Sequence, residues 1–172
     1  MAKIAMIIAK SEFRDEEYLH PKEEFLKNGH EVITASSTLG ECTGRFGAKV
    51  TPDIDFKELT TDDFDALVFV GGGGSSEYSD SPIAHGLARE AYRNGKIVSA
   101  ICIAPVILSR AGLLQGKKAT VYPDGENDLV KGGAFYTGNP VEVDERIVTG
   151  NGPAAARDFA KAVMEALEAL QK

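Results

Sequence analysis

The sequence has few cysteines, no excess of positive charge and no long apolar run, and each shortage excludes a class of protein. Only two cysteines, Cys42 and Cys102, occur in 172 residues, which argues against a disulfide-stapled secreted domain. The net charge is −7, and no basic cluster is interleaved with aromatic residues, so we expect no nucleic-acid partner. No stretch approaches the ~20 apolar residues of a membrane span. We therefore expect no membrane partner and a cytoplasmic location.

Motifs for nucleotides and metals are also missing. The run Gly71–Gly74 is not followed by the Gly-Lys-Ser/Thr of a phosphate loop, and it lacks the third glycine of a dinucleotide fingerprint. The three histidines show no ligand spacing, and the segment 124–128 lacks the glycine and the final glutamate of a calcium loop. The sequence thus predicts no cofactor and no metal.

Apolar strand patterns alternate with helix patterns along the whole chain. The predicted strands are Ile4–Ala9, Glu31–Ala35, Phe64–Val70, Ile97–Ile101 and Ala119–Val121, with a weaker one at Ala48–Thr51 and a hairpin of Val141–Val143 and Arg146–Thr149. The predicted helices are Glu16–Asn28, a helix capped near Ser81 that ends at Asn94, Ile103–Leu108, Asp128–Lys131 and Ala154–Leu170. This order predicts one α/β domain over residues 1–172, with a doubly wound, mostly parallel sheet sandwiched by helices.

Two of these helices have predicted inward faces. In the first helix we expect Leu19, Phe25 and Leu26 to face the core. In the last helix the predicted apolar stripe is Phe159, Val163, Leu167 and Leu170.

Cys102 lies where an apolar strand stops and a helix is predicted to begin. Small residues flank it at Ala100 and Ala104, and Pro105 falls in the first helical turn. The tight strand–nucleophile–helix turn of hydrolases has the same layout. A helix N-terminus would favour thiolate over thiol, so Cys102 is the candidate nucleophile. The alternative is a buried inert cysteine, which is how we interpret Cys42.

The glycine run offers backbone N–H groups to a cleft at the carboxyl edge of the sheet. The N–H of Gly72, together with that of Ile103 directly after the nucleophile, fits an oxyanion hole. A flexible loop without a binding role is the alternative.

Several segments resemble one family when they are taken together. They are GKIVSAICIAPVILSRAGLLQGKKAT around Cys102, KIAMIIA followed by an acidic segment and Pro21, GHEV, DFDALVFVGG and GGAFYTGNPVEVDERIVTGNGP. The chain resembles the ThiJ/PfpI family of the class I glutamine amidotransferase-like superfamily over nearly its full length. That family includes intracellular-protease-like and parkinsonism-associated deglycase-like proteins. The resemblance implies a flavodoxin-like fold with a nucleophile elbow and a small β-hairpin, in a homo-oligomer.

The resemblance also implies roles for individual residues. Cys102 is the reactive residue, and Glu17, four positions before a proline, is held protonated beside the thiol and lowers its pKa. A solvated acidic helix start is the other interpretation of Glu17. Ile103 replaces the histidine of the protease-like branch, which weakens a peptidase function. The position of Tyr122 often carries His or Tyr near the cleft in relatives, so Tyr122 either orients a substrate oxygen or is a core tyrosine.

Two classes of function follow. In the first, a cofactor-free cysteine enzyme acts on small reactive carbonyls in a glyoxalase or deglycase reaction, with a thiol adduct at Cys102, as a stress-response protein. In the second, oxidation of Cys102 makes the protein a redox sensor or a holdase that binds client proteins. An intracellular cysteine peptidase ranks below both.

Overall fold

The structure, a computed structural model, describes residues 1–171. The strands are β1 (Lys3–Ile7), β2 (Ser11–Phe13), β3 (Glu31–Ser36), β4 (Cys42–Gly44), β5 (Lys49–Val50), β6 (Ile54–Asp55), β7 (Ala66–Phe69), β8 (Ile97–Ile101), β9 (Lys118–Ala119), β10 (Phe135–Tyr136), β11 (Val141–Asp144) and β12 (Ile147–Gly150). The α-helices are α1 (Asp15–Lys27), α2 (Ser76–Ser79), α3 (Pro82–Arg93), α4 (Pro105–Arg110), α5 (Glu126–Lys131) and α6 (Ala156–Leu170).

The main sheet has seven strands in the order β11-β12-β8-β7-β1-β3-β6. Every neighbouring pair is parallel except β11 with β12, which form the predicted hairpin. β7 and β8 are buried along their whole length, as expected for strands that are covered on both faces. The predicted α/β fold with a mostly parallel sheet is confirmed.

Helices cover both faces of this sheet. On one face α1 packs against α6, and on the other α3 and α4 pack together near β8. Each face has its own group of buried apolar side chains: Phe25 and Phe159 belong to the first, and Leu67 and Ile107 to the second. The carboxyl ends of β1, β7 and β8 therefore open at one edge, between the two helical layers.

The two helices with predicted inward faces differ from the prediction, α1 at two positions and α6 at one. In α1, Leu19 and Leu26 are exposed and Phe25 is buried. The inward face runs through Glu17, Pro21 and Phe25 instead, at helical spacing. In α6 the residues Phe159, Val163 and Leu167 are buried, whereas Leu170, in the last turn, is exposed.

The segment after Cys102 also differs from the prediction. Residues 102–104 form a turn, and α4 begins only at Pro105. Cys102 has a φ of 65°, which a right-handed helix does not allow. The helix therefore starts after the turn is complete.

A small sheet that the sequence analysis only partly predicted lies beside the main one. Its strand order is β2-β4-β5, and β5 corresponds to the weak strand predicted at 48–51. β2 and β4 are three residues each, too short to show a period in the sequence. This sheet brings the turn between β4 and β5 next to the first turn of α1.

Candidate active site

The backbone holds Cys102 in a left-handed conformation at the end of β8. Its N–H donates to the carbonyl of Gly150 at 2.9 Å, and its carbonyl accepts from the N–H of Tyr122 at 2.7 Å. A non-glycine residue in this region costs about 1–2 kcal/mol. The two hydrogen bonds from neighbouring segments offset that cost, so the predicted elbow is present and its side chain points out of the sheet edge.

Glu17 lies in the first turn of α1 and is fully buried. Neither carboxyl oxygen has a hydrogen-bond partner within residues 1–171. The thiol of Cys102 is close enough to influence its pKa, since Glu17 Oε1 and Cys102 Cβ both lie beside Gly71. The interpretation of Glu17 as a solvated helix start is therefore wrong, because the carboxyl faces the sulfur and no water-filled surface.

The approach of Glu17 to Cys102 depends on Gly71. A Cβ at this position would lie 2.5 Å from Cys102 Cβ and from the Ile101 carbonyl oxygen, and closer still to Glu17 Oε1. The loop before α1 is tied to the same glycine, because the N–H of Arg14 donates to the Gly71 carbonyl at 2.9 Å. The first glycine of the run thus leaves the space in which the acid and the thiol meet.

Burial changes the acidity of both groups. It raises the pKa of Glu17 from 4.5 to about 8, against the effects of the Cys102 thiol and of the charge of Arg14. Burial also raises the pKa of Cys102 from 9.0 to about 12, and the neighbouring Glu17 contributes to that rise. The two groups share a site and titrate as a pair, with one proton lost near pH 8 and the other held to about pH 12.

The prediction of a lowered thiol pKa at Cys102 is therefore wrong in direction. Removal of water from the sulfur disfavours the thiolate. The helix that follows, α4, has only six residues and begins three positions further on, so its dipole is weak at the sulfur. The backbone N–H groups of Gly72 and Ile103 do lower the pKa, but by less than burial raises it.

A cleft of about 290 Å³ opens above the sulfur. Its lining includes the predicted Gly72, Ile103 and Tyr122 beside Cys102. Tyr122 is 43% exposed, so it is a cleft residue and not a core tyrosine. Ile103, at the position where the resemblance implies a histidine in the protease-like branch, lines the cleft, and no histidine of residues 1–171 does so.

The sequence analysis did not predict several residues of the site, among them Arg14, Arg45 and Asp124. Arg14 and Arg45 line the cleft, and Asp15 holds the turn that carries Arg45. The pattern that could have indicated them is the short turn at 43–47, in which Gly44 and Gly47 frame Arg45 and Phe46. Their role depends on contacts between segments that are distant in the chain.

The remaining cysteine and histidines lie away from this site. Cys42 is buried and its Sγ is 3.7 Å from the Gly40 carbonyl oxygen, and both cysteines are free. His30 accepts from the N–H of Ala2, and His85 bonds with the carbonyl of Ser79. Across residues 1–171 no group of three or more acidic, histidine or cysteine side chains is placed to hold a metal ion. No helix among these residues is long and apolar enough to cross a membrane.

The fold and the site define an α/β protein with a cysteine elbow and a buried cysteine–glutamate pair. A sequence model described as the DJ-1/PfpI family matches residues 2–166. The chain belongs to that family.

Two relatives that are named for an activity, and one solved structure, are similar to this chain over nearly its whole length. A protein named deglycase from Pyrococcus abyssi is 34% identical over 160 residues, which cover 91% of this chain and 96% of the relative. A protein named glutathione-independent glyoxalase from Caenorhabditis elegans is 27% identical over 171 residues, covering 99% and 91%. The crystal structure of a ThiJ/PfpI domain protein from Brachyspira murdochii has a TM-score of 0.95 at 34% identity and covers 97% of this chain and 96% of its own. Relatives thus carry deglycase and glyoxalase names, and the ThiJ/PfpI resemblance of the sequence is confirmed.

Proposed function

We propose that the protein is a cofactor-free enzyme that converts small 2-oxoaldehydes to 2-hydroxy acids, or removes them from glycated amines, through a covalent adduct at Cys102. The observation that carries the proposal is the buried pair of Glu17 and Cys102 at the base of an open cleft. The names of the Pyrococcus and Caenorhabditis relatives support the same class of reaction.

The reactive form is the pair with one proton removed. The N–H groups of Gly72 and Ile103 lie close enough to the sulfur to lower the pKa of Cys102. No N–H within residues 1–171 bonds to the Glu17 carboxyl oxygens. In that form the carboxylate of Glu17 carries the charge, because its pKa of about 8 is lower than the value of about 12 for Cys102. The Glu17 carboxylate then takes the thiol proton as the sulfur attacks, which leaves the proton on Glu17 for the carbonyl oxygen. A thiolate is the nucleophile that addition to an aldehyde requires.

The reaction then proceeds by addition, proton transfer and hydrolysis. The thiolate forms a C–S bond to the aldehyde carbon, and the carbonyl oxygen takes the Glu17 proton to give a hemithioacetal. The Glu17 carboxylate removes the hydrogen on that carbon and returns it to the adjacent carbon, so the first carbon is oxidised and the second reduced. Water cleaves the resulting thioester, and the sum for methylglyoxal is methylglyoxal plus water to lactate.

Backbone donors assist the addition step in this scheme. Negative charge develops on the former carbonyl oxygen, and the Gly72 and Ile103 N–H groups are the donors at hand in the cleft. Fixed donors of this kind cost no reorganisation when charge moves from sulfur to oxygen. Tyr122 is the exposed hydroxyl of the cleft and is proposed to orient the second carbonyl.

The test is turnover of methylglyoxal to lactate without glutathione, followed by proton NMR, in wild type, Cys102→Ser and Cys42→Ser. We expect Cys102→Ser to abolish turnover and Cys42→Ser to retain it, because Cys42 does not line the cleft. The wild-type rate is expected to rise towards about pH 8, where the pair loses its first proton. Turnover that persists in Cys102→Ser would refute the proposal.

Deglycation needs a separate measurement in the same variants. The amine of a methylglyoxal-treated N-acetyl-lysine is quantified with time, with free methylglyoxal measured in parallel. Release that is faster than consumption of free methylglyoxal supports direct action on the adduct. Amine release that is no faster than the consumption of free methylglyoxal indicates that only the glyoxalase reaction takes place.

A second candidate function is sensing of oxidants through Cys102. A sulfinate at this position would accept hydrogen bonds from the protonated Glu17 carboxyl and from the same two backbone N–H groups, which are donors the sulfur already faces. Mass spectrometry after peroxide should find two added oxygen atoms on Cys102 before any on Cys42. Equal oxidation of both cysteines would remove this candidate.

A further inference from the structure

The cleft above Cys102 has charged side chains of opposite sign on two sides. Arg14 and Arg45 enter from the side of β1 and the small sheet. Tyr122 and Asp124 follow β9, which bonds to β11 through Lys118 and is therefore on the other side of β8. A molecule bound over the sulfur lies between a cationic and an anionic wall.

The cationic wall is held in place by buried contacts. The Asp15 carboxylate, only 7% exposed, accepts from the backbone N–H of Phe46 at 3.0 Å and of Ala48 at 2.8 Å. The N–H of Arg45 donates to the Phe13 carbonyl at 2.9 Å. This turn therefore cannot shift relative to α1 without leaving a buried carboxylate unpaired, which is costly.

The aromatic ring of Phe46 contacts the guanidinium groups of both Arg14 and Arg45. The guanidinium carbon of Arg14 is 4.8 Å from the centroid of the Phe46 ring, and that of Arg45 is 5.7 Å from the same centroid. Contacts of this length are favourable cation–π interactions. Phe46 itself is exposed, so its ring supports the two cations at the mouth of the cleft and does not belong to the core.

Some of the guanidinium donors on this wall have no protein acceptor, although Arg14 is ion-paired with Glu16. Arg14 uses Nε and Nη2 on Glu16, while its Nη1 has no hydrogen-bond partner within residues 1–171. Arg45 forms no side-chain hydrogen bond or ion pair in the same range, and neither does Asp124 on the opposite wall. The cationic side thus offers free, planar N–H donors beside the reactive sulfur.

We propose that the substrate of Cys102 is a 2-oxoaldehyde that carries a carboxylate, which Arg45 binds together with the free Nη1 of Arg14. The proposal rests on the function proposed above and assigns its substrate class. A guanidinium matches a carboxylate in shape and charge, and Asp124 repels that end of the substrate from the other wall. The aldehyde is then the end that reaches Cys102.

A concrete substrate of this class is 4,5-dioxopentanoate. The thiolate adds to its aldehyde carbon, the hydrogen moves from that carbon to the adjacent one, and water releases the thioester. The balanced sum is 4,5-dioxopentanoate plus water to 2-hydroxyglutarate, with one carbon oxidised and its neighbour reduced, so no external oxidant is needed. Methylglyoxal has the same reacting atoms and lacks the group that the arginines bind.

Alkylation with a matched pair of reagents tests the recognition without turnover. Iodoacetate and iodoacetamide both lose iodide to the same thiolate and differ mainly in charge, so the ratio of their rates is independent of how much thiolate is present. Relative to 2-mercaptoethanol, we expect the iodoacetate-to-iodoacetamide ratio at Cys102 to be about tenfold higher, which corresponds to about 1.4 kcal/mol of charge-assisted binding.

Charge variants of the cleft give this test its controls. Arg45→Gln is expected to remove most of the tenfold preference, and Asp124→Asn to increase it. Lys49→Gln removes a cation of the same hairpin that does not line the cleft, and should leave the ratio unchanged. A wild-type ratio equal to that of 2-mercaptoethanol, or one that Arg45→Gln does not lower, would overturn the proposal.

Measuring the turnover of two substrates distinguishes this inference from the proposed function on which it rests. We expect kcat/KM for 4,5-dioxopentanoate to exceed that for methylglyoxal by about tenfold, and Arg45→Gln to bring the two close together. Equal use of both by the wild type leaves the glyoxalase function standing and refutes carboxylate recognition. If wild type turns over both substrates no faster than Cys102→Ser does, the proposed function is refuted, and with it the substrate class.

Discussion

Replacement of Glu17 by glutamine should remove a pH dependence of folding stability that the wild type shows. Glutamine has nearly the shape of a protonated glutamate and cannot ionise. In the unfolded chain Glu17 loses its proton near 4.5, whereas in the folded protein burial holds the proton until about pH 8. Between these values the folded state binds more protons than the unfolded state, so wild-type stability falls as the pH rises.

The size of this effect follows from the same two values. One pKa unit corresponds to about 1.36 kcal/mol, so a rise from 4.5 to about 8 amounts to about 5 kcal/mol of stability, present in full below pH 4.5 and lost by about pH 8. In Glu17→Gln this component is absent at every pH. The amide also buries an NH2 group in place of a carboxyl oxygen, at a constant cost of about 1–3 kcal/mol, which shifts the curve without changing its slope.

The assay is urea unfolding of both proteins at intervals from about pH 5 to pH 8.5. We expect the free energy of unfolding of wild type minus that of Glu17→Gln to decrease steadily across this range. Glu23→Gln, at an exposed carboxylate of the same helix, is the control and should follow the wild-type slope. Parallel curves for wild type and Glu17→Gln would show that the buried carboxyl is already ionised at neutral pH, and the description of the pair would be wrong.

Three further substitutions test the packing that builds the site. Gly71→Ala places a Cβ 2.5 Å from Cys102 Cβ, so it should lower the free energy of unfolding by about 1–3 kcal/mol and slow the labelling of Cys102 by iodoacetamide. Gly73→Ala is the control, because no atom lies within 4 Å of the added carbon, and it should change neither measurement. Asp15→Ala removes the acceptor of two buried N–H groups and should lower the free energy of unfolding by about 1–3 kcal/mol and increase hydrogen exchange at residues 46–48. Phe159→Ala should cost about 3–5 kcal/mol in urea unfolding because its ring is fully buried; a loss below about 1 kcal/mol would contradict the packing described for this helix.

Much of the fold was predictable because its signals are local. The strand at 97–101 matches its prediction residue for residue. The helix after Ser81 is capped by that side chain, which accepts from the N–H of Ala84 at 3.2 Å. Strands that are buried on both faces need continuous apolar runs, and caps need a small polar residue before the first turn. Both requirements can be recognised without knowing what packs against the element.

The inward face of the first helix was not predictable in the same way. Its buried positions include Glu17 and Glu24, so the apolar residues alone indicate the wrong face. A carboxyl is normally placed at the surface by any pattern argument. Only the position of Cys102, contributed by a distant strand, gives Glu17 a partner in the interior.

The sequence by itself determined the alternation of strands and helices and the tight turn that presents Cys102, since these depend on neighbouring residues and on backbone geometry. Tertiary structure alone decided the acidity of the thiol and the charge of the cleft. Burial, which raises the pKa of Cys102 and of Glu17, arises only when β8, the glycine run and α1 pack together. Arg45 likewise reaches the site only because the buried Asp15 holds its turn there. Electrostatic energies depend on distance and solvent exposure, and neither quantity exists until the chain has folded.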